Sequence, residues 1–209
     1  MKKPYDSIRI FKSDFCEFFT HVHPITPLLI WVPVLVYFLY RASAVDRLSG
    51  YSIGSLWALG LFFWTLAEYF LHRYVFHYPA EGRAQEWFQF LIHGLHHADP
   101  VDPTRLVMPP FAGVILAVLF YSSFKMFLGP LKVDPFFSGF LVGYLCYDYI
   151  HYSVHHFTPR TRLGKLIKQH HMVHHFVAHE ARWGVSSPIW DHVFGTIEER
   201  KRPSPGRAV

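Results

Sequence analysis

"SIGSLWALGLFFWTLAEYFLHRYVFH" (52–77) joins two kinds of sequence that ordinary soluble domains keep apart. Its first part, 52–71, is apolar over the length a helix needs to cross a bilayer, about 20 residues. The run ends at His72, and His77 follows. On a regular helix of 3.6 residues per turn, positions five apart point about 140° away from each other. His72 and His77 can therefore share one site only if a helix end falls between them; otherwise they belong to separate metals.

Three more histidine islands lie downstream. "HGLHH" sets His93, His96 and His97 at i, i+3 and i+4, and "HYSVHH" sets His151 and His155 one helical turn apart, with His156 beside them. "IKQHHMVHHFVAHE" (167–180) repeats the first spacing in His171, His174 and His175, which read as one face of a helix. Neutral imidazole is a common metal ligand and a poor way to cover a surface. One such cluster could be a solvated accident of composition. Four islands with recurring spacings point to metal.

The whole chain has 209 residues, enough for one domain with a substantial core. It is 51% hydrophobic, 19% aromatic and only 17% charged, which is too apolar for an ordinary soluble domain and fits membrane residence. With that composition the formal charge of +5 points to anionic lipid headgroups rather than nucleic acid. Cys16 and Cys146 are far apart and form no metal motif, so both read as reduced bystanders. No secretory signal precedes the first apolar run, and no solenoid repeat is present. The tail 199–209 is charged and proline-containing and reads as disordered.

Four apolar stretches stand out: 26–40; 52–71; one from 107, where Pro109 and Pro110 suit the first turn of a helix; and one from about Pro135 to His151. An even number of spans returns the chain to its starting side. All four histidine islands then gather on one membrane face. Lys2, Lys3, Arg9, Lys12 and most of the C-terminal basic residues share that face, against Arg41, Arg47, Lys125 and Lys132 opposite, so it is cytoplasmic by the positive-inside rule. A metal transporter, the leading non-enzyme alternative, would place its ligands near the bilayer midplane, and these lie at span ends. Glu68 and Asp148 each precede a histidine by about a turn and are expected to orient metal-bound imidazoles. The plainer alternative is a polar side chain reaching the interface.

So many neutral nitrogen donors exceed what one zinc site takes, and two metals with four or five imidazoles each would use them. Ligand type does not choose between iron and zinc. No GxSxG nucleophile elbow is present. The substrate at hand in a membrane is lipid, and its difficult chemistry is attack on an unactivated C–H bond. Acid–base side chains cannot do this, whereas an oxygen-activating metal can. The residues thus point to an O2-dependent lipid oxidase with two metals and no catalytic side chain beyond the ligands.

"EYFLHRYVFH", "LIHGLHHADPVDPTRLVMPP", "YLCYDYIHYSVHH" and "HHMVHHFVAHEARWGVSSPIWD" resemble the fatty acid 2-hydroxylase branch of the integral-membrane fatty acid hydroxylase/sterol desaturase superfamily, over residues 60–198 or so. The resemblance implies an all-α membrane protein: a cytoplasmic segment 1–25, four membrane helices within 26–150, and a cytoplasmic helical cap, 151–198, over a dimetal centre. It carries ten ligands onto His72, His77, His93, His96, His97, His151, His155, His171, His174 and His175. It also implies insertion of one oxygen at C2 of a long acyl chain, free or in a ceramide-like lipid, with iron expected for the oxygen chemistry and zinc possible in its place. The chain has no cytochrome b5 domain with its His-Pro-Gly-Gly motif, so electrons are expected from a separate cytochrome b5- or ferredoxin-like protein. His156 and His170 are surplus, and His21 and His23 receive no role. His179, Asp191 and, less so, His192 join Glu68 and Asp148 as neighbours of the ligands. Sterol or carotenoid hydroxylation is the runner-up activity, desaturation the next, and metal storage or transport the non-enzymatic one. The compact chain, without asparagine or a dilysine tail, favours a bacterial inner membrane over an endoplasmic reticulum.

Overall fold

The computed structural model describes residues 7–198, which are helical with no strand among them. A five-residue helix, α1 (Asp14–Phe18), precedes α2 (Thr26–Tyr40), which a π-helical turn extends to Val45. The second long helix, α3 (Gly50–Phe70), starts where the Ser49 hydroxyl accepts the Ser52 N–H, and a second π turn (Leu71–Phe76) continues it. Two short helices, α4 (Arg83–Gln89) and α5 (Leu95–Ala98), flank a third π turn, Phe90–Gly94. The chain then runs through α6 (Pro110–Leu128), α7 (Pro130–His156), α8 (Arg162–Phe176) and α9 (Ile189–Phe194). Pro110 opens α6 with Pro109 as its N-cap, as suits prolines at a helix entry, and Gly129, at φ +78°, turns α6 into α7. The tail 199–209, read as disordered, lies outside the described residues.

Among the described residues, three helices are long and apolar enough to cross a membrane: Thr26–Val45, Gly50–Phe76 and Pro110–Leu128. The fourth expected span is different in kind. It starts at Pro130, earlier than the sequence suggests, and is long enough at 27 residues, but it carries Lys132, Asp134 and Asp148. The reason is its position. α7 is the central helix, with α2, α3 and α6 around it, and its residues 133–141 are all buried. A helix enclosed by protein can keep polar groups that a lipid-facing helix cannot.

Glycines let α3 and α7 touch backbone to backbone. A Cβ on Gly60 would lie 1.8 Å from the Phe136 carbonyl oxygen, and one on Gly139 would lie 1.9 Å from that of Trp57. Small residues at such crossings replace the hydrophobic drive that is missing between helices in lipid. Above them Trp64 packs edge-on against Phe140 and Tyr144, with ring centroids 5.1 and 5.5 Å apart. At the end of the bundle away from the histidines, the buried Asp134 accepts a hydrogen bond from Tyr121 (2.8 Å) and pairs with Arg41 (3.3 Å), tying α6, α7 and the end of α2 together.

The "DPTRLVMPP" stretch anchors the N-terminal segment. Arg105 reaches Glu17 (2.5 Å), Thr20 (3.1 Å) and His21 (2.9 Å), and the Thr104 carbonyl accepts the Val22 N–H at 2.7 Å. His21 is thereby spent on this anchor.

Candidate metal centre

The ten histidines carried over from the resemblance come together as two groups of five. His72, His77, His93, His97 and His174 form one; His96, His151, His155, His171 and His175 form the other. Within each group the candidate ligand atoms all lie within 4.8 Å of one another. The atoms that meet are Nε2: His93 to His72 at 3.1 Å and to His97 at 3.0 Å, and His77 to His174 at 3.2 Å. In the second group His96 meets His151 at 2.9 Å and His175 at 3.0 Å, and His155 meets His171 at 2.9 Å.

Such distances suit a cation better than hydrogen bonds. His93 Nε2 has two imidazole nitrogens near 3 Å, and one N–H can satisfy only one of them. Two nitrogens bound to one ion at about 2.1 Å and a right angle apart would sit about 3.0 Å from each other. The donor set thus fits two transition-metal ions with five imidazoles each. The groups share a wall, for the His97 ring stacks on that of His175 with centroids 4.1 Å apart.

Local geometry decides which histidine goes where. In each HxxHH island the i and i+4 members enter one group and the i+3 member the other: His93 and His97 against His96, and His171 and His175 against His174. His151 and His155, also four apart, stay together. His72 and His77 share a group despite their five-residue spacing, because the His77 N–H bonds to the His72 carbonyl (3.2 Å) across the π turn. An i→i+5 turn stacks residues five apart, and His77 is itself the end of that helix.

Burial keeps these rings neutral. It lowers His174 to about 4, and together with neighbouring imidazoles it lowers His77 to about 3 and His97 to about 2. His93, His96 and His171 are pushed well below the ordinary value by burial and then by adjacent histidines. The sign for stability follows. Between pH ~6.5 and ~3 an unfolded chain takes up protons that the folded chain refuses, so stability falls as pH falls through that window. Metal competes with the same protons. Dialysis near pH ~4 is therefore expected to strip metal that dialysis near pH ~7 leaves in place, as read by elemental analysis; unchanged metal content at the lower pH would rule out imidazole ligation.

The acids expected beside the ligands are placed otherwise. The Glu68 carboxylate touches no imidazole among the described residues; it accepts the backbone N–H groups of Val185 and Ser186, each at 2.7 Å, and the Ser186 hydroxyl. Asp148 accepts the Tyr144 hydroxyl at 2.7 Å. Asp191 meets His170, one of the surplus histidines, at 3.1 Å. Burial alone would raise its carboxyl, but hydrogen bonds from His170, Gly184, Thr196 and Trp183 outweigh that and hold it below the usual range. His179 is exposed, its ring 6.2 Å from that of His97, and His192 is exposed on α9. The His156 ring lies tilted against that of Tyr152 (centroids 4.4 Å apart), outside both groups. The groups that do hold clustered imidazoles from behind are main-chain carbonyls, which no sequence pattern marks: the Trp183 carbonyl accepts His72 Nδ1–H at 2.5 Å, and the Ala181 carbonyl accepts His174 Nδ1–H at 2.8 Å.

Beside the centre, an apolar groove of about 440 Å³ opens between α3, α6 and α7. Phe63, Ala67, Phe120 and Phe124 line its lower part, and Tyr74 and Val75 of the His72–His77 π turn line its upper part.

Comparison with known proteins gives a consistent result. The family model described as fatty acid hydroxylase matches residues 57–196. A dihydroceramide fatty acyl 2-hydroxylase of Arabidopsis thaliana is 38% identical over 195 residues, which cover 93% of this chain and 82% of that protein. A fatty acid 2-hydroxylase of Rattus norvegicus is 32% identical over 91% of this chain and 56% of its own length. Among solved structures, full-length scs7p, of which only the hydroxylase domain is visible, superposes with a TM-score of 0.83 at 36% identity, over 91% of this chain and 72% of that one.

Proposed function

Because the chain belongs to the fatty acid hydroxylase family, we propose that its ten clustered histidines hold two metal ions that hydroxylate C2 of a long acyl chain, free or within a ceramide-like lipid. The protein is an oxidoreductase of the fatty acid 2-hydroxylase kind. The observation that carries the reading is the pair of five-imidazole groups at the end of apolar helices, with the groove running up to the same π turn.

When bound, the metals supply oxygen activation. One atom of O2 enters the C–H bond and the other leaves as water, taking two electrons and two protons from outside. Iron is the metal proposed, since zinc has no redox chemistry. The chain's own part is to hold neutral imidazoles in place, to lay an acyl chain in the groove, and to keep its carboxyl end at the histidines. Acidic side chains are kept off the metals by their other partners, so no catalytic residue is assigned beyond the ligands. A cytochrome b5- or ferredoxin-like protein is the electron donor proposed.

As a membrane arrangement, we place α7 as a fourth helix within the bilayer, enclosed by the three apolar ones, with 7–25 and the cap 151–198 on the cytoplasmic side as a single domain. The basic residues on the histidine side support that orientation. A bacterial inner membrane is our proposed location, or the endoplasmic reticulum in a eukaryotic host.

The test is lipid mass spectrometry on cells expressing the protein under 18O2. One labelled oxygen at C2 of acyl chains is the expected product. Loss of two hydrogens would make the enzyme a desaturase, and label confined to added sterol or carotenoid would replace the acyl substrate.

A further inference from the structure

The two metal groups are not supported alike. Behind the first runs the segment 181–187, whose carbonyls at Ala181 and Trp183 take the Nδ1–H of His174 and His72. Each bond fixes its ring as the tautomer with the Nε2 lone pair facing inward. The segment is pinned from both sides. Asp191 accepts the Trp183 and Gly184 N–H groups, each at 2.8 Å, and is itself held by the Thr196 hydroxyl at 2.7 Å. Glu68, from α3, accepts the next two N–H groups, of Val185 and Ser186. The turn between the two carboxylates needs a glycine: a Cβ on Gly184 would sit 2.0 Å from the Ser187 carbonyl oxygen and 3.0 Å from Asp191 Oδ2. Ala181, Trp183, Val185, Glu68 and Asp191 are all buried. Behind the second group there is no counterpart. The Nδ1 atoms of His96, His151, His171 and His175 are buried with no hydrogen-bond partner among the described residues.

We infer that 181–187 is a strap that orients two of the five imidazoles of the first group, His72 and His174, and none of the second, so that Glu68 and Asp191 are positioning residues for one metal ion of the two. This rests on the dimetal reading above. It also changes what is expected of the acids that precede the histidine islands: Glu68 acts through the 183–186 backbone and its carbonyls rather than by touching a ring, and Asp148, bonded to Tyr144, takes no part.

The test is a chelator titration of the purified, iron-loaded protein in detergent, with metal per chain read by elemental analysis. Wild type should hold two ions. In Asp191→Asn an amide N–H2 faces a backbone N–H that has lost its acceptor, and in Glu68→Gln the charge on the bonds to 185 and 186 is removed. In both, one ion should come off at about 10–100-fold lower chelator activity, the range for groups that orient ligands, while the other stays as in wild type. His155→Ala should weaken the opposite ion, and combined with Asp191→Asn the two effects should add, as independent sites do. Should Asp191→Asn fail to fold, Thr196→Val, which removes one bond to Asp191 and keeps the carboxylate, carries the same expectation in smaller measure. Both ions weakened equally, or neither, overturns the strap. A wild type that never holds a second ion overturns the dimetal centre itself, which tells the two failures apart.

Discussion

His174→Ala should abolish 2-hydroxylation, with a loss of at least about 100-fold in hydroxylated acyl lipid and a fall from two metal ions per chain to one. The magnitude is set from below. Removing a group that merely orients a ligand costs about 10–100-fold, and His174 is by the proposed reading a direct donor. Its ring is fully buried, with Nε2 3.2 Å from that of His77 and Nδ1–H spent on the Ala181 carbonyl. The fold should survive the change. The bundle is held by α3, α7 and their neighbours, and the variant leaves one small void and one unpaired carbonyl, worth about 1–3 kcal/mol. Lipid mass spectrometry and metal analysis on the same preparation make the comparison. His192→Ala is the control, since that residue is exposed on α9, and should stay within about twofold of wild type. Full turnover in His174→Ala would remove this residue from the centre.

The largest effect on stability is expected from Gly139→Val. The first carbon of the new side chain would begin 1.9 Å from the Trp57 carbonyl oxygen, and backbone at a helix crossing has nowhere to go. α3 and α7 must separate, which opens the aromatic packing around Trp64 and moves His72 on one helix relative to His151 on the other. Overpacking of this kind costs about 3 kcal/mol or more. A drop of roughly 6–12 °C in the thermal midpoint follows for a chain of this size. Gly54→Val is the matched control, because a Cβ there meets nothing within 4 Å. Equal melting of the two variants would show that the close crossing is not what holds the bundle.

Several features could be read directly from the residue string, and each for the same reason. Imidazole donors are side chains, and side chains are what a sequence spells, so all ten clustered histidines stand out by type and spacing. Apolar runs must be long to cross lipid, so the helices from Thr26, Gly50 and Pro110 appear at nearly their true bounds.

Other features depended on geometry that a string does not carry. The His72–His77 spacing left a shared site and separate metals both open, because a π turn is a choice of hydrogen bonding that residue types do not announce. The division of each HxxHH island between two groups needed the directions in which neighbouring helices face. Asp148 and Glu68 stand near histidines in sequence, yet their carboxylates find Tyr144 and the 185–186 backbone first, since a buried acid goes to whichever donors the packing brings within reach. α7 carries charges that would forbid it a place in lipid, and only its enclosure by three other helices explains them.

The sequence by itself determined the chemistry: histidines in metal-binding number, at the ends of helices long enough for a membrane, in a pattern shared with the fatty acid hydroxylases. Only the tertiary structure decided how those donors divide into two fives and which of them are held from behind. That support comes from the carbonyls of Ala181 and Trp183, and every residue carries a carbonyl. Its use is set by where the chain is folded, and not by which amino acid it belongs to.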